Sequence, residues 1–161
     1  MNRTKTISWQ DPMEGAQKAA GMSGMEYLQA MADGQIPMPP LVHTLDLQAV
    51  SFERGQAIFS FIPQEFHYNP IGTVHGGVIT SILDSAMGCS LHSLLDAGTA
   101  YTTLELKVNF LKAITIKTGK LQAIGKMIHS GNRTALVEGQ LIDSNGTIYA
   151  HAVSTCMILK K

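Results

Sequence analysis

Beyond residue 41, hydrophobic and polar positions mostly alternate with the period of two that a half-buried strand imposes. Residues 56–62 (Gln-Ala-Ile-Phe-Ser-Phe-Ile) read as one strand, with a turn at Arg54-Gly55 before them and an earlier strand at about 42–50. The clearest run is 101–111, where Thr102, Leu104, Leu106, Val108 and Phe110 share one face and Tyr101, Thr103, Glu105, Lys107 and Asn109 the other. Unbroken alternation turns Thr102 toward the apolar side and Thr103 away from it. Further strands are predicted at about 118–129, 133–143 and 147–159, joined by Ser130-Gly131-Asn132 and Ser144-Asn145-Gly146, whose residues tolerate positive φ.

Between the second and third strands the period changes. Over about 76–94, Val78, Ile79, Ile82, Leu83, Ala86, Met87, Leu91 and Leu94 make a helix apolar around most of its circumference, the mark of a buried helix. At about 1.5 Å per residue it spans roughly 28 Å, long enough for a sheet to curl around it. The order strand, strand, buried helix, four strands gives an α+β layer wrapped on one helix. Residues 1–40 differ: they are methionine-rich and end in the Pro37, Pro39, Pro40 cluster, which a helix does not cross. Within them Ser23 caps a short helix with Glu26 in the capping-box position and Tyr27, Leu28 and Met31 on its apolar face. The expected organisation is a helical appendage over 1–40 and one domain over 41–161.

Composition narrows the class without changing that picture. A chain of 161 residues, 45% hydrophobic and 15% charged, has room for one domain with its own core and is neither disordered, collagenous nor coiled coil. The 12 basic and 12 acidic side chains cancel, so no broad field favours nucleic acid or an anionic membrane. The balance is uneven: residues 1–106 carry 4 basic against 10 acidic groups, and 107–161 carry 8 against 2, so the C-terminal part can offer a basic rim to a small polyanion. Cys89 and Cys156 lack the spacing of a disulfide framework or a zinc site, and the N-terminus lacks an apolar leader. A cytoplasmic protein without metal or redox cofactor is the expectation.

Residues 66–95 contain a single formal charge, Asp84. An ionised carboxylate in apolar surroundings is costly unless it is paired or used. Its helical neighbours Thr80, Ser81, Ser85, Gly88 and His92 form a narrow stripe of small and polar residues that either lines a cleft or bonds across a subunit contact. The helix opens with Asn69-Pro-Ile-Gly72-Thr-Val-His75-Gly76-Gly77, and the free N–H groups of a first helical turn hold an anion or a polarised carbonyl oxygen. Asp84 follows about two turns later, near enough by sequence to serve a carbonyl held at Gly76 or Gly77.

The pattern of Asn69, Gly72, His75-Gly76-Gly77, Asp84 and Gly88, together with the element order over about 42–159, resembles the hotdog-fold thioesterases of the PaaI-like branch of the 4-hydroxybenzoyl-CoA thioesterase superfamily. That resemblance implies acyl-CoA thioester hydrolysis of an aryl or medium-chain acyl group. It assigns Asp84 to attack or to activation of water, a Gly76 or Gly77 amide to the carbonyl oxygen, Asn69 to positioning, His75 to shaping the loop, and Thr102 to a place beside the acid. It further implies a site built across a homodimer, with Asn69–Gly77 of one protomer facing Asp84 of the other, and often a homotetramer. Gly72, Ser81 and Gly88 would adjoin the substrate, and Lys107, Lys112, Lys120, Lys126 and Arg133 are the cations available to CoA phosphates. A non-hydrolytic acyl-CoA binder is the alternative on the same fold, and a hotdog dehydratase a weaker one. A metal set from His67, His75, His92 and Asp84 has no regular spacing behind it.

Overall fold

The computed structural model describes residues 2–160. Its centre is α4 (Gly76–His92), 17 residues long, and its frame is one six-stranded antiparallel sheet. The strands are β1 (Gln48–Glu53), β2 (Gln56–Phe61), β3 (Ala100–Phe110), β4 (Leu121–Ser130), β5 (Thr134–Ile142) and β6 (Ile148–Leu159). Their spatial order is β1-β2-β4-β5-β6-β3, which leaves β1 and β3 as the two edges. Ile79, Ile82, Leu83, Ala86, Met87 and Leu91 of α4 are buried against the inner face of the sheet, beside Phe59, Phe61, Leu121, Val137 and Leu141. This is the α+β layer wrapped on one helix that the element order predicts, and the hotdog arrangement that the resemblance implies. Among the described residues no helix is long and apolar enough to cross a membrane.

Two details depart from the sequence pattern. The segment expected to begin a strand at 42 instead forms α3 (Pro40–Thr44), and β1 starts only at Gln48. Pro40 stands at the first helical position, where its fixed φ suits the helix and its missing N–H costs nothing. The second departure is a bulge in β3. Thr103 pairs with Cys156 and Glu105 with Thr155, so Leu104 is an extra residue and alternation reverses across it. Tyr101 lies on the same side as Leu106 and Val108, packed against the core, whereas Thr102 and Leu104 are exposed.

The N-terminal residues contribute α1 (Pro12–Lys18) and α2 (Gly24–Ala32). The α2 cap is the one its sequence specifies: Ser23 Oγ accepts the Glu26 N–H while a Glu26 carboxylate oxygen accepts the Ser23 N–H at 2.7 Å. Gly24 donates its N–H to the Leu95 carbonyl at 2.9 Å, and a Cβ there would overlap the His92 carbonyl oxygen. Only glycine lets α2 approach the end of α4 so closely. Leu28, Ala30, Met31 and Ile36 then form a second buried cluster, with Phe52 of β1 and Cys89 of α4 packed against it.

Candidate active site

Asp84 is half-buried on α4 where the helix meets β3, and its Oδ1 accepts a hydrogen bond from Thr103 Oγ1 at 3.1 Å. The β3 bulge is what aims Thr103 inward, so Thr103 and not Thr102 stands beside the acid. Asp84, Ser85 and Thr103 line one side of a cavity of about 260 Å³ whose other walls are apolar, with Gly88, Cys89 and Tyr101 adjoining Asp84 along it. Gly88 is the close approach here: a Cβ on it would lie 2.6 Å from the Tyr101 hydroxyl. Burial, reinforced by neighbouring Cys89, raises the Tyr101 phenol above its usual value, so it stays neutral and able to donate. Burial also pushes the Cys89 thiol to about 12, with the Asp84 carboxylate adding to it, which keeps Cys89 protonated and unsuited to act as a nucleophile.

The small polar stripe on α4 is less open than its sequence implied. Thr80, Ser81 and Ser85 donate their hydroxyls to the carbonyls of Gly76, Gly77 and Ser81 at 2.8–2.9 Å, satisfying the helix's own backbone. Ser81 therefore has no free donor for a substrate.

The loop before α4 is held by its own side chains. Asn69 Oδ1 accepts the N–H groups of Ile71 and Thr73, both at 3.1 Å, while Asn69 Nδ2 donates to Thr73 Oγ1 at 2.9 Å. Its Oδ1 and one Nδ2 N–H are thus committed to the turn, which Gly72 closes at φ +80°, and the second Nδ2 N–H is left over. His75 caps the helix, its Nδ1 accepting the Gly77 N–H at 2.8 Å. The Gly77 amide is therefore occupied, and among the described residues no acceptor meets the Gly76 amide. Asn69, Gly76, Phe110 and Lys112 line a second cavity of about 310 Å³.

These two half-sites do not meet within the chain. Eight residues at about 1.5 Å each separate Gly76 from Asp84 by roughly 12 Å along the axis, too far for both to act on one carbonyl. Of the cations offered to phosphates, Lys112 borders the Gly76 cavity, whereas Lys126 on β4 and Arg133 in the β4–β5 turn are exposed and line neither cavity. Among the described residues no three of His, Cys, Asp and Glu converge as a metal set.

The sequence pattern missed the apolar side of the Asp84 cavity. Met31, Met38, Pro39, Leu41 and Val42 supply it, together with Phe52 and Phe59. The methionines and prolines of residues 31–42 were the available signal.

The thioesterase superfamily model matches residues 71–150, from the glycine loop through β5 into β6. A Saccharolobus solfataricus protein named as an esterase is 30% identical over 72% of this chain and 81% of its own length. The 1,4-dihydroxy-2-naphthoyl-CoA hydrolase of Listeria monocytogenes is 25% identical over 75% of this chain and 97% of its own. Among solved structures, a phenylacetic acid degradation-related protein from Ralstonia eutropha superposes with a TM-score of 0.74 at 26% identity, covering 81% of this chain and 98% of that one. A Streptococcus mutans protein solved bound to acetyl CoA superposes with a TM-score of 0.65 at 28% identity, covering 71% and 90%.

Proposed function

Because this chain belongs to the thioesterase superfamily and has its hotdog fold, we propose that it hydrolyses acyl-CoA thioesters with Asp84 as the reacting carboxylate. The observation that carries this reading is the sole charge of residues 66–95 standing at an apolar cavity with a threonine hydroxyl holding one of its oxygens. Such a carboxylate is aimed and partly desolvated, as a base or nucleophile must be.

The chemistry follows from the groups present. Asp84 takes a proton from water that attacks the thioester carbonyl, or attacks it directly to give a mixed anhydride that water then hydrolyses, restoring the carboxylate; in either case the carbonyl oxygen gains negative charge, the C–S bond breaks, and CoA leaves as its thiol on taking up the proton released by that water. The unoccupied Gly76 amide, at the positive end of α4, is suited to that oxyanion. His75 serves it indirectly by engaging the neighbouring Gly77 amide, and Asn69 by fixing the loop. Since Gly76 and Asp84 of one chain are roughly 12 Å apart along α4, one carbonyl is served by Gly76 of one protomer and Asp84 of its partner. Edge strand β3, with Leu104 and Phe110 more than half exposed, supports pairing of two copies there. The dimer brings together the 260 Å³ acyl cavity of one copy and the Lys112-bordered loop of the other. The relatives named for CoA thioester hydrolysis or solved with acetyl CoA support a CoA thioester as the substrate class.

The test is release of free thiol from aryl and straight-chain acyl-CoAs by the parent and by Asp84→Asn. Turnover falls by a factor of about 10² to 10⁴ in the variant while acyl-CoA binding persists. Near-parental turnover in Asp84→Asn removes the carboxylate from the chemistry.

A further inference from the structure

We infer that the N-terminal segment 31–42, outside the sheet and its helix, sets the length of acyl group that this chain accepts. The inference rests on the acyl-CoA reading above. Met31, Met38, Pro39, Leu41 and Val42 line the same cavity as Asp84, so part of its apolar lining comes from a stretch of the chain that supplies none of the reacting groups. Phe52 and Phe59, which line the cavity from β1 and β2, pack edge to face at 5.6 Å, and beside Gly88 the Tyr101 hydroxyl leaves no room even for a Cβ. Neither has slack. Any adjustment of depth therefore falls to the methionine side, whose unbranched thioethers repack readily.

The wall is held by the chain's own packing. Gly24 locks the start of α2 onto the end of α4, and Leu28 and Ile36 are buried at 1% and 2% exposure. The N–H groups of Gln35 and Ile36 both return to the Ala30 carbonyl, folding the segment back on α2. Pro37, Pro39 and Pro40 then restrict the stretch that carries Met38. A cavity of about 260 Å³ lies just under the range of roughly 300–1,000 Å³ usual for small-molecule sites, which selects compact acyl groups. Met31 is buried in the second cluster, but Met38 is only packed against it, so residue 38 can be changed with the fold retained.

The experiment compares the parent, Met38→Ala and Met38→Phe on straight-chain acyl-CoAs from two to twelve carbons (roughly the span of such a site), by thiol release. Affinities for the matching alkyl-CoA thioethers, which have no carbonyl to hydrolyse, are measured alongside. Met13→Ala, exposed and away from the cavity, is the control. Met38→Ala shifts the preferred length upward by about two carbons, with a gain of about fourfold in kcat/KM for each methylene newly admitted. Met38→Phe shifts it downward, and Met13→Ala keeps the parental profile. Thiol release with the same preferred length in both Met38 variants overturns the inference. If no acyl-CoA releases thiol, the hydrolytic reading falls instead, and the thioethers decide the wall: a preferred length that follows residue 38 upholds it, and one that does not overturns it.

Discussion

Replacing Thr103 with valine removes one hydroxyl from Asp84 and leaves the shape of the strand nearly unchanged. The bond lost is a 3.1 Å contact from Thr103 Oγ1 to a carboxylate oxygen, half-buried beside an apolar cavity. Hydrogen bonds to charged groups contribute about 1.5–3 kcal/mol, and about 1.4 kcal/mol corresponds to a tenfold rate change. If most of that energy serves to orient Asp84 toward the carbonyl, Thr103→Val lowers kcat by about ten- to a hundredfold with little change in KM. Thr102→Val is the internal control, because its side chain points outward and substitution there leaves kcat within about twofold. The assay is steady-state thiol release, with thermal unfolding of both variants confirming the fold. Equal losses at 102 and 103, or a larger loss at 102, refute both the bulged register and the role given to the hydroxyl.

Other consequences follow from packing and protonation. Gly88→Ala places a methyl 2.6 Å from the Tyr101 hydroxyl and lowers stability by about 1–3 kcal/mol in urea unfolding, whereas Gly88→Ala with Tyr101→Phe recovers most of it because the next contacts are at 3.4 Å. A double variant no more stable than the single one contradicts that cause. His92 and His67 are both held below the usual histidine value, chiefly by burial, and each has a buried ring nitrogen without a partner. The unfolded chain therefore binds protons that the folded one does not: stability is fully present above about pH 6.5 and falls as pH drops below it. His92→Phe, which keeps the ring packed on Tyr27 and Tyr101, flattens that decline; an unchanged slope in urea unfolding from pH 7.5 to 5 (a span of roughly one unit above the histidine range to one and a half below) removes His92 as its source.

The element order is legible in the sequence because burial on one side of a sheet and all around a helix leaves different periods. The Ser23–Glu26 capping box and the isolated Asp84 are equally local signals, readable without knowing the fold. Thr103 is hidden by the opposite circumstance. The bulge at Leu104 inserts one residue into β3 without a glycine or proline to mark it, so perfect alternation over 101–111 points to the wrong threonine. Pro39-Pro40 reads equally well as the end of a helix and as the start of one, and the helical turn of Pro40–Thr44 took residues that looked like a strand. The commitments of Asn69 and Ser81 were invisible because their partners are nearby backbone groups, which a residue type alone does not reveal. The acyl wall escaped for a tertiary reason: residues 31–42 reach Asp84 only after α2 docks on α4.

Because Gly76 is the first residue of α4, proline can replace it with the helix retained while deleting the one amide assigned to the oxyanion. Asp84→Asn and Gly76→Pro are each expected to be nearly inactive alone. Co-expressed as a mixture of dimers, about half the molecules pair one variant with the other, and each such dimer has one site with both an intact Asp84 and an intact Gly76 amide. Activity of the mixture then returns to about a quarter of the parental value per protomer. A mixture that remains at the sum of the two separate variants, with mixed dimers demonstrated by mass, contradicts a thioester site shared between Asp84 of one copy and the Gly76 loop of the other.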